Sequence, residues 1–188
     1  MAIKFEVLSW EDIIRLIYEL CKKIEKSNWT FDCIVTILRG GLIPARIVAD
    51  YFNVSDVYVL GLSLYADVSQ KKQLILKQPL NVDLQGKKVL LVDDVADTGE
   101  SLIFARNYII KELKPKEVKI ATIHMKPWSK IEPDFYVKKT DAWIVYPWEY
   151  YETLISLEKK IKAISDSHQK NILIEAINKI KKYLSMFE

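Results

Sequence analysis

The sequence predicts an α/β fold in which a mainly parallel, twisted sheet is flanked by helices. Short apolar segments rich in β-branched residues, such as Cys33–Leu38 and residues 89–92, are typical of buried strands. Segments with helical period follow both of them, and residues 118–123 repeat the strand pattern. Strands that alternate with helices are joined by right-handed crossovers, so we expect the strands to run parallel.

The N-terminal half supplies the first elements. Ser9 and Asp12 have the spacing of a capping box, and the apolar residues that follow have helical period. Pro44 is tolerated in the first turn of a second helix, after the strand at 33–38. Residues 54–64 are predicted to form another strand. Residues 66–81 are polar without a clear period and predict a mobile excursion, in which residues 73–76 could pair as a short strand.

We expect a single domain at residues 1–150 and a C-terminal helical extension at residues 151–188. The chain has 188 residues, half of them hydrophobic, which is enough for a full core. From Tyr150 onward it is rich in Lys and Ile, and two stretches of helical period flank a break at 165–168. This extension either covers its own domain as a helical hairpin or contributes to contacts between subunits. The sequence favours neither alternative.

Composition excludes several function classes. The formal net charge of +3 is small and the basic residues are spread along the chain, so no nucleic-acid partner is expected. Cys21 and Cys33 lack the spacing of metal ligands and are expected to be small buried hydrophobic residues. The N-terminus does not resemble a signal peptide and no apolar run approaches membrane-spanning length. We therefore expect a cytoplasmic protein without a membrane partner.

The segment with the clearest chemistry is residues 89–101, which read VLLVDDVADTGES. After the strand, Thr98 and Gly99 open a helix, and the backbone amides at a helix N-terminus favour a phosphate group. Gly99 lets the backbone approach a ligand closely, and the hydroxyls of Thr98 and Ser101 can add hydrogen bonds. For D-T-G alone, an ordinary capped helix would be the better interpretation. The longer pattern indicates a phosphate-binding site.

Two adjacent acids, Asp93 and Asp94, stand where this strand is predicted to end. Their carboxylates can accept hydrogen bonds from vicinal ribose hydroxyls, either directly or through the water shell of Mg²⁺. Arg39, Gly40 and Gly41 follow another strand of the same sheet, and ligands of such sheets bind beyond the carboxyl ends of the strands. The two segments are therefore expected to lie at one edge.

Residues 93–101 resemble the sequence signature of type I phosphoribosyltransferases, enzymes that use phosphoribosyl pyrophosphate. The resemblance implies that the two leading acids hold the ribose 2′- and 3′-hydroxyls beside Mg²⁺, with Asp94 and Asp93 as the metal residues. It also implies that the D-T-G loop binds the 5′-phosphate and that residues 39–41 meet pyrophosphate, in some relatives through a non-proline cis peptide. The expected phosphoribosyl pyrophosphate residues are Arg39, Gly40, Gly41, Asp93, Asp94, Ala96, Asp97, Thr98, Gly99, Glu100 and Ser101.

Glu100 fills the variable position of the signature. A carboxylate beside a phosphate is unfavourable, so we expect its side chain to point to solvent while its amide binds. The resemblance also aligns residues 63–78 with a flexible loop that closes over the reaction. The candidate loop residues are Ser63, Tyr65, Lys71 and Lys72. Relatives often carry Ser where this chain has Leu64, and the two lysines either supply positive charge to pyrophosphate or are solvated.

Residues 124–149 are the predicted base-recognition segment. A purine needs an aromatic face, a donor to its 6-oxo group and acceptors for its N–H groups; Trp143, Lys126 and the Ile144 carbonyl with Glu149 offer these. The K-P pair at 126–127 and the W-I-x-x-P-W pattern at 143–148 resemble the xanthine–guanine and hypoxanthine–guanine branch of the family. Glu149 stands where Asp is usual, which leaves the preferred base open. Taken singly, these residues are also common as a core Trp, a solvated Lys and a capping Glu.

The resemblance implies a Mg²⁺-dependent purine salvage enzyme that transfers ribose 5-phosphate to N9 of a 6-oxopurine, with Asp97 and Lys126 as catalytic residues. Its partners would be phosphoribosyl pyrophosphate and a purine base, and we expect a homodimer or tetramer. Two alternatives stay open: a regulator of the same fold that senses phosphoribosyl pyrophosphate, or an enzyme that accepts adenine or orotate. An adenine enzyme would have no use for a lysine aimed at position 6.

Overall fold

The computed structural model describes residues 3–66 and 72–187. No helix in this part of the chain is both long and apolar enough to cross a membrane. Short 3₁₀ turns lie at Pro147–Glu149 and Ser185–Phe187. The strands and α-helices, in chain order, are β1 (Phe5–Val7), α1 (Trp10–Lys26), β2 (Cys33–Leu38), α2 (Leu42–Phe52), β3 (Val57–Ala66), β4 (Lys72–Gln78), β5 (Lys88–Ala96), α3 (Glu100–Leu113), β6 (Glu117–Met125), β7 (Phe135–Lys139), β8 (Trp143–Val145), α4 (Tyr150–Ala163) and α5 (Ser167–Leu184).

The chain divides into two compact units. The larger is Leu16–Thr140, and the smaller combines Met1–Arg15 with Asp141–Glu188. The boundary between a domain at residues 1–150 and an extension at 151–188 stays a prediction.

The larger unit contains a six-stranded sheet in the order β4-β3-β2-β5-β6-β7. Every neighbouring pair is parallel except β3 and β4, which are antiparallel. Helix α2 packs on β2, β3 and β5, and α3 packs on β5 and β6. The predicted α/β fold with a mainly parallel sheet is therefore confirmed.

Apolar side chains of the central strands form the core of this unit. Val35, Leu91 and Ile120 are fully or almost fully buried, and Ile109 of α3 packs against the same cluster. Both cysteines are free and buried, as the sequence indicates. Burial raises the pKa of the Cys21 thiol to about 12 and that of Cys33 to about 11, so both thiols stay protonated at neutral pH.

The smaller unit is built on a parallel pair, β1 and β8, and on the two C-terminal helices. Helix α1 begins here with the expected capping box, because the Asp12 amide donates to Ser9 Oγ and the Ser9 amide donates to Asp12 Oδ2, each at 3.1 Å. The Asp166 carboxylate caps α5 by accepting from the amides of His168 and Gln169. The predicted pair of tail helices is confirmed. Their shared core contains Val7, Val145, Tyr150, Leu154, Leu157, Leu173, Ala176, Ile177 and Ile180.

Several strand boundaries differ from the sequence prediction, most clearly those of β4 and β5. Strand β5 runs through the acidic pair to Ala96, because its ladder with β6 continues from Asp93 opposite Thr122 to Ala96 opposite Met125. In the segment predicted as a flexible loop, β3 and β4 pair antiparallel, with Leu62 opposite Leu76. The pairing extends beyond the expected short strand at 73–76, and residues 67–71, which also belong to the predicted loop, lie outside the described residues.

The two neighbouring isoleucines of α3 provide a test of this packing. Ile109 is fully buried, whereas Ile110 is 47% exposed. We expect Ile109→Ala to lower the free energy of unfolding by about 2–5 kcal/mol, because it leaves a cavity in the core. Ile110→Ala, the matched control, should change it by less than about 0.5 kcal/mol. Urea denaturation of both variants measures the difference, and equal midpoints would contradict the placement of this helix face.

Candidate active site

Three loops of the larger unit follow three adjacent parallel strands. Residues 39–41 follow β2, residues 97–99 follow β5 and residues 126–131 follow β6. Since β2, β5 and β6 are parallel neighbours, the three loops share the carboxyl edge of the sheet. This edge brings together all of the residues predicted to bind phosphoribosyl pyrophosphate.

The loop after β2 packs directly on the acidic pair. A Cβ atom on Gly40 would overlap the Asp94 carboxylate, so only glycine allows this approach. A Cβ atom on Gly41 would overlap Thr36 Oγ1 and lie 2.7 Å from the Val92 carbonyl oxygen. The loop contains a cis peptide bond between Leu38 and Arg39, one bond before the Arg39–Gly40 link.

Asp93 and Asp94 form an electrostatically unfavourable pair. Asp94 is 7% exposed and Asp93 is partly buried, and the Asp94 amide donates to Asp93 Oδ1 at 3.0 Å. Desolvation, and then repulsion from the Asp94 carboxylate, raise the pKa of Asp93 well above its ordinary value. Hydroxyl donors or a cation at these oxygens would relieve both effects.

The same pair fits the Mg²⁺ that the resemblance implies. Carboxylate oxygens are the ligands that this ion prefers, and Mg²⁺ commonly takes only one or two of them together with water and substrate oxygens. Across residues 3–66 and 72–187, no group of three or more His, Cys, Asp or Glu side chains could hold a metal ion.

The loop after β5 leads into a helix N-terminus. Residues 97–99 are irregular, Gly99 has a φ of 81°, and α3 begins at Glu100 without a side-chain cap. The Ile103 amide donates to the Gly99 carbonyl at 2.9 Å, which starts the helical hydrogen bonds. A helix N-terminus with a left-handed glycine at its cap is suited to a phosphate group, and the phosphate-binding role of this loop stays a prediction.

The loop after β6 is attached through its backbone to the end of β5 and to the loop that follows it, which we call the phosphate loop after its predicted role. The Lys126 amide donates to the Ala96 carbonyl at 2.9 Å, and the Lys130 amide donates to the Thr98 carbonyl at 3.0 Å. A Cβ atom on Gly99 would lie 2.9 Å from Ser129 Oγ and 2.8 Å from a methyl carbon of Ile131. The two loops are thus closely packed.

Two residues of this contact escaped the sequence prediction. Trp128 Nε1 donates to Asp97 Oδ1 at 2.9 Å, and Lys130 Nζ lies 2.7 Å from Glu100 Oε1. Glu100 is about half exposed, as expected, but its charge is paired. The sequence offered one indication: Trp128 comes directly after the K-P pair at 126–127, and Lys130 follows two residues later.

Lys126 belongs to the larger unit, whereas Trp143, Ile144 and Glu149 belong to the smaller. Lys126 is buried, and its Nζ atom lies 5.5 Å from the centroid of the Trp128 ring. Within the smaller unit, Trp143 is 56% exposed with Lys160 Nζ 5.4 Å from its ring centroid, and Ile144 is buried in β8. The base-binding role of these residues stays a prediction.

The predicted loop residues lie on the β3–β4 pair or next to it. Ser63 and Tyr65 are in β3, Lys72 opens β4, and Lys71 lies outside the described residues. Ser63 is partly buried and stands opposite Ile75. A contact of these residues with pyrophosphate stays a prediction.

Comparison with known proteins agrees with this geometry. Residues 6–153 match the phosphoribosyl transferase domain. The xanthine-guanine phosphoribosyltransferase of Chromohalobacter salexigens is 33% identical over 154 residues, covering 79% of this chain and 88% of that protein. A purine phosphoribosyltransferase structure from Pyrococcus horikoshii has a TM-score of 0.70 at 35% identity, covering 78% of this chain and 95% of the other.

A third comparison extends into the C-terminal helices. The structure of a hypothetical protein from Neisseria gonorrhoeae with bound ppGpp has a TM-score of 0.71 at 28% identity. It covers 94% of this chain and 98% of that one. The family match spans most of the chain and ends at residue 153, within α4. This protein therefore belongs to the phosphoribosyl transferase domain family.

Proposed function

We propose that the protein is a purine salvage phosphoribosyltransferase of the cytoplasm that acts on a 6-oxopurine: hypoxanthine, guanine or xanthine. It transfers ribose 5-phosphate from phosphoribosyl pyrophosphate to N9 of the base, giving the nucleoside 5′-monophosphate and pyrophosphate. The observation that carries this proposal is the packing of Gly40 on Asp94. It places the loop proposed to bind the pyrophosphate leaving group next to the acids proposed to bind the ribose. The named activities of the bacterial and archaeal relatives support the same substrate class.

Binding of phosphoribosyl pyrophosphate uses the three features of the sheet edge. Asp93 and Asp94 accept hydrogen bonds from the two ribose hydroxyls, and the N-terminus of α3 holds the 5′-phosphate. The amides of residues 39–41 and the Arg39 guanidinium bind pyrophosphate. When bound beside Asp93 and Asp94, Mg²⁺ supplies charge neutralisation for the pyrophosphate oxygens.

The reaction exchanges one bond at the anomeric carbon for another. The C1–oxygen bond breaks and its electron pair leaves with pyrophosphate, while the N9 lone pair forms the new C1–N bond. Because positive charge develops on the sugar, the site must hold both partners in line and stabilise the departing anion. The imidazole proton of the base passes to the Asp97 carboxylate, which acts as the general base.

Lys126 accounts for the choice of base. Its ammonium group donates to a 6-oxo oxygen, whereas the amino group of adenine would present a second donor and repel it. The roles of Trp143 as a stacking face and of Ile144 and Glu149 as acceptors rest on the resemblance of residues 143–149. The ppGpp bound by the Neisseria protein carries a guanine base and diphosphate groups, the same two chemical classes. A homodimer or tetramer remains part of the proposal.

The direct test supplies the purified protein with phosphoribosyl pyrophosphate, Mg²⁺ and, separately, hypoxanthine, guanine, xanthine, adenine and orotate. We expect nucleotide and pyrophosphate in equal amounts with at least one 6-oxopurine, and none with adenine or orotate. Absence of product with every base would refute the enzyme and favour a regulator that senses phosphoribosyl pyrophosphate. Product with adenine or orotate alone would refute the assigned base class.

Replacement of Asp97 tests the proton transfer. Asp97→Asn keeps an oxygen that can accept from Trp128 but cannot take a proton, so we expect kcat to fall by at least about 100-fold with a much smaller change in either KM. Asp50→Asn, on α2, is the matched control, because this exposed carboxylate pairs with the exposed Arg46 guanidinium, 3.2 Å away. Steady-state kinetics of both variants measure the effect; turnover near that of the wild type in Asp97→Asn removes the acid–base role.

The salt bridge between Lys130 and Glu100 leads to another prediction. Lys130→Ala leaves the Glu100 charge uncompensated next to the phosphate loop, so we expect KM for phosphoribosyl pyrophosphate to rise about two- to fivefold, the range for exposed charges. Adding Glu100→Gln should restore it, and high salt should weaken the effect. Lys111→Ala, which breaks an exposed pair with Glu112 in the last turn of α3, is the control. Equal KM values in Lys130→Ala and the double variant would contradict this role.

A further inference from the structure

We propose that Trp128 is a positioning residue of the reaction, which holds the Asp97 carboxylate toward the base through its indole N–H group. This inference rests on the proposed function, because it assigns Trp128 a role in the proton transfer at Asp97. Neither the D-T-G pattern nor the K-P pair contains this residue. The contact exists only because the loops after β5 and β6 meet at the sheet edge.

The backbone on both sides of Trp128 is fixed to the phosphate loop. Lys126 donates to the Ala96 carbonyl and Lys130 donates to the Thr98 carbonyl, so the turn that carries the indole is anchored at two points. The Ser129 amide closes this turn by donating to the Lys126 carbonyl at 3.1 Å. An indole on such a turn has few positions available, which makes its N–H group a defined donor.

Asp97, in contrast, has little local support. It is exposed and lies in the irregular stretch between β5 and α3, where the next residues are Thr98 and Gly99. Without a partner, its carboxylate would rotate among several side-chain conformations. The 2.9 Å bond from Trp128 Nε1 to Asp97 Oδ1 selects one of them and leaves Oδ2 able to accept a proton.

The face of the Trp128 indole contacts Lys126, the residue proposed to bind the purine base. Lys126 Nζ lies 5.5 Å from the ring centroid, within the range of a cation–π interaction. Trp128 is 54% exposed, so burial of the ring does not account for its position. The Trp128 side chain thus contacts two residues with proposed roles. Its N–H edge contacts Asp97, the proposed general base, and its ring face contacts Lys126, the proposed donor to the 6-oxo group.

Trp128→Phe separates these two contacts, because it retains an aromatic face and removes only the N–H donor. We expect kcat to fall on the order of tenfold, since misplaced catalytic groups lose rate, while KM for both substrates changes much less. Trp29→Phe is the matched control. It also removes an indole donor to a carboxylate, the 2.7 Å bond to Glu117 Oε2, but at the amino end of β6. The melting temperatures of both variants report any general loss of stability.

The second arm places Trp128→Phe in an Asp97→Ala background. If Trp128 acts through Asp97, the added substitution causes no further loss of kcat, whereas an equal loss in both backgrounds overturns the inference. Wild-type kcat in Trp128→Phe also overturns it while leaving the proposed function intact. Absence of turnover in the wild-type protein refutes the proposed function and this role together.

A spectroscopic arm does not depend on turnover. In a ¹H–¹⁵N spectrum, five Trp residues give the indole signals, and the one lost in Trp128→Phe belongs to Trp128. We expect Asp97→Ala to shift this signal upfield, as loss of a charged acceptor requires, and Asp50→Ala to leave it unchanged. An unshifted signal in Asp97→Ala means that the hydrogen bond does not form, and overturns the inference.

Discussion

The approach of the Gly40 backbone to the Asp94 carboxylate is the constraint on which the rest of the site depends. Only a residue without a side chain fits there, and Gly41 has the same restriction against Thr36 and Val92. The loop after β2 is therefore held on the end of β5 by close packing. Since β6 is the next strand, and its loop is hydrogen-bonded to residues 96 and 98, one chain of contacts orders all three loops.

This arrangement carries an electrostatic cost in the absence of ligands. Burial and the neighbouring carboxylate raise the pKa of Asp93, so the pair is least favourable when both acids are ionised. The fold tolerates the cost because parallel ladders hold β5 on both sides and its apolar residues are buried. In such sites, a ligand that satisfies the charges also removes the repulsion. The relief of that repulsion then adds to the affinity for the ligand.

Much of the fold was readable from local pattern, and the missing parts depend on contacts between distant residues. Apolar strands, helical period and the D-D-x-x-D-T-G order depend on neighbours in the chain, so the sheet and the turn from β5 into α3 were predicted. The continuation of β5 through Asp93 depends on pairing with Thr122. The Trp128–Asp97 bond joins residues 31 positions apart. Nothing within a short window distinguishes Trp128 from an ordinary exposed tryptophan.

The two backbone bonds from Lys126 and Lys130 to the phosphate loop have a thermodynamic consequence. A ligand that orders residues 97–101 also restrains the segment after β6. A second ligand that binds this segment then causes a smaller loss of conformational entropy. Occupancy by the sugar phosphate should thus increase affinity for the base. Linkage requires the reciprocal effect to be equally large, so the proposed function together with these bonds predicts positive heterotropic cooperativity between the two substrates.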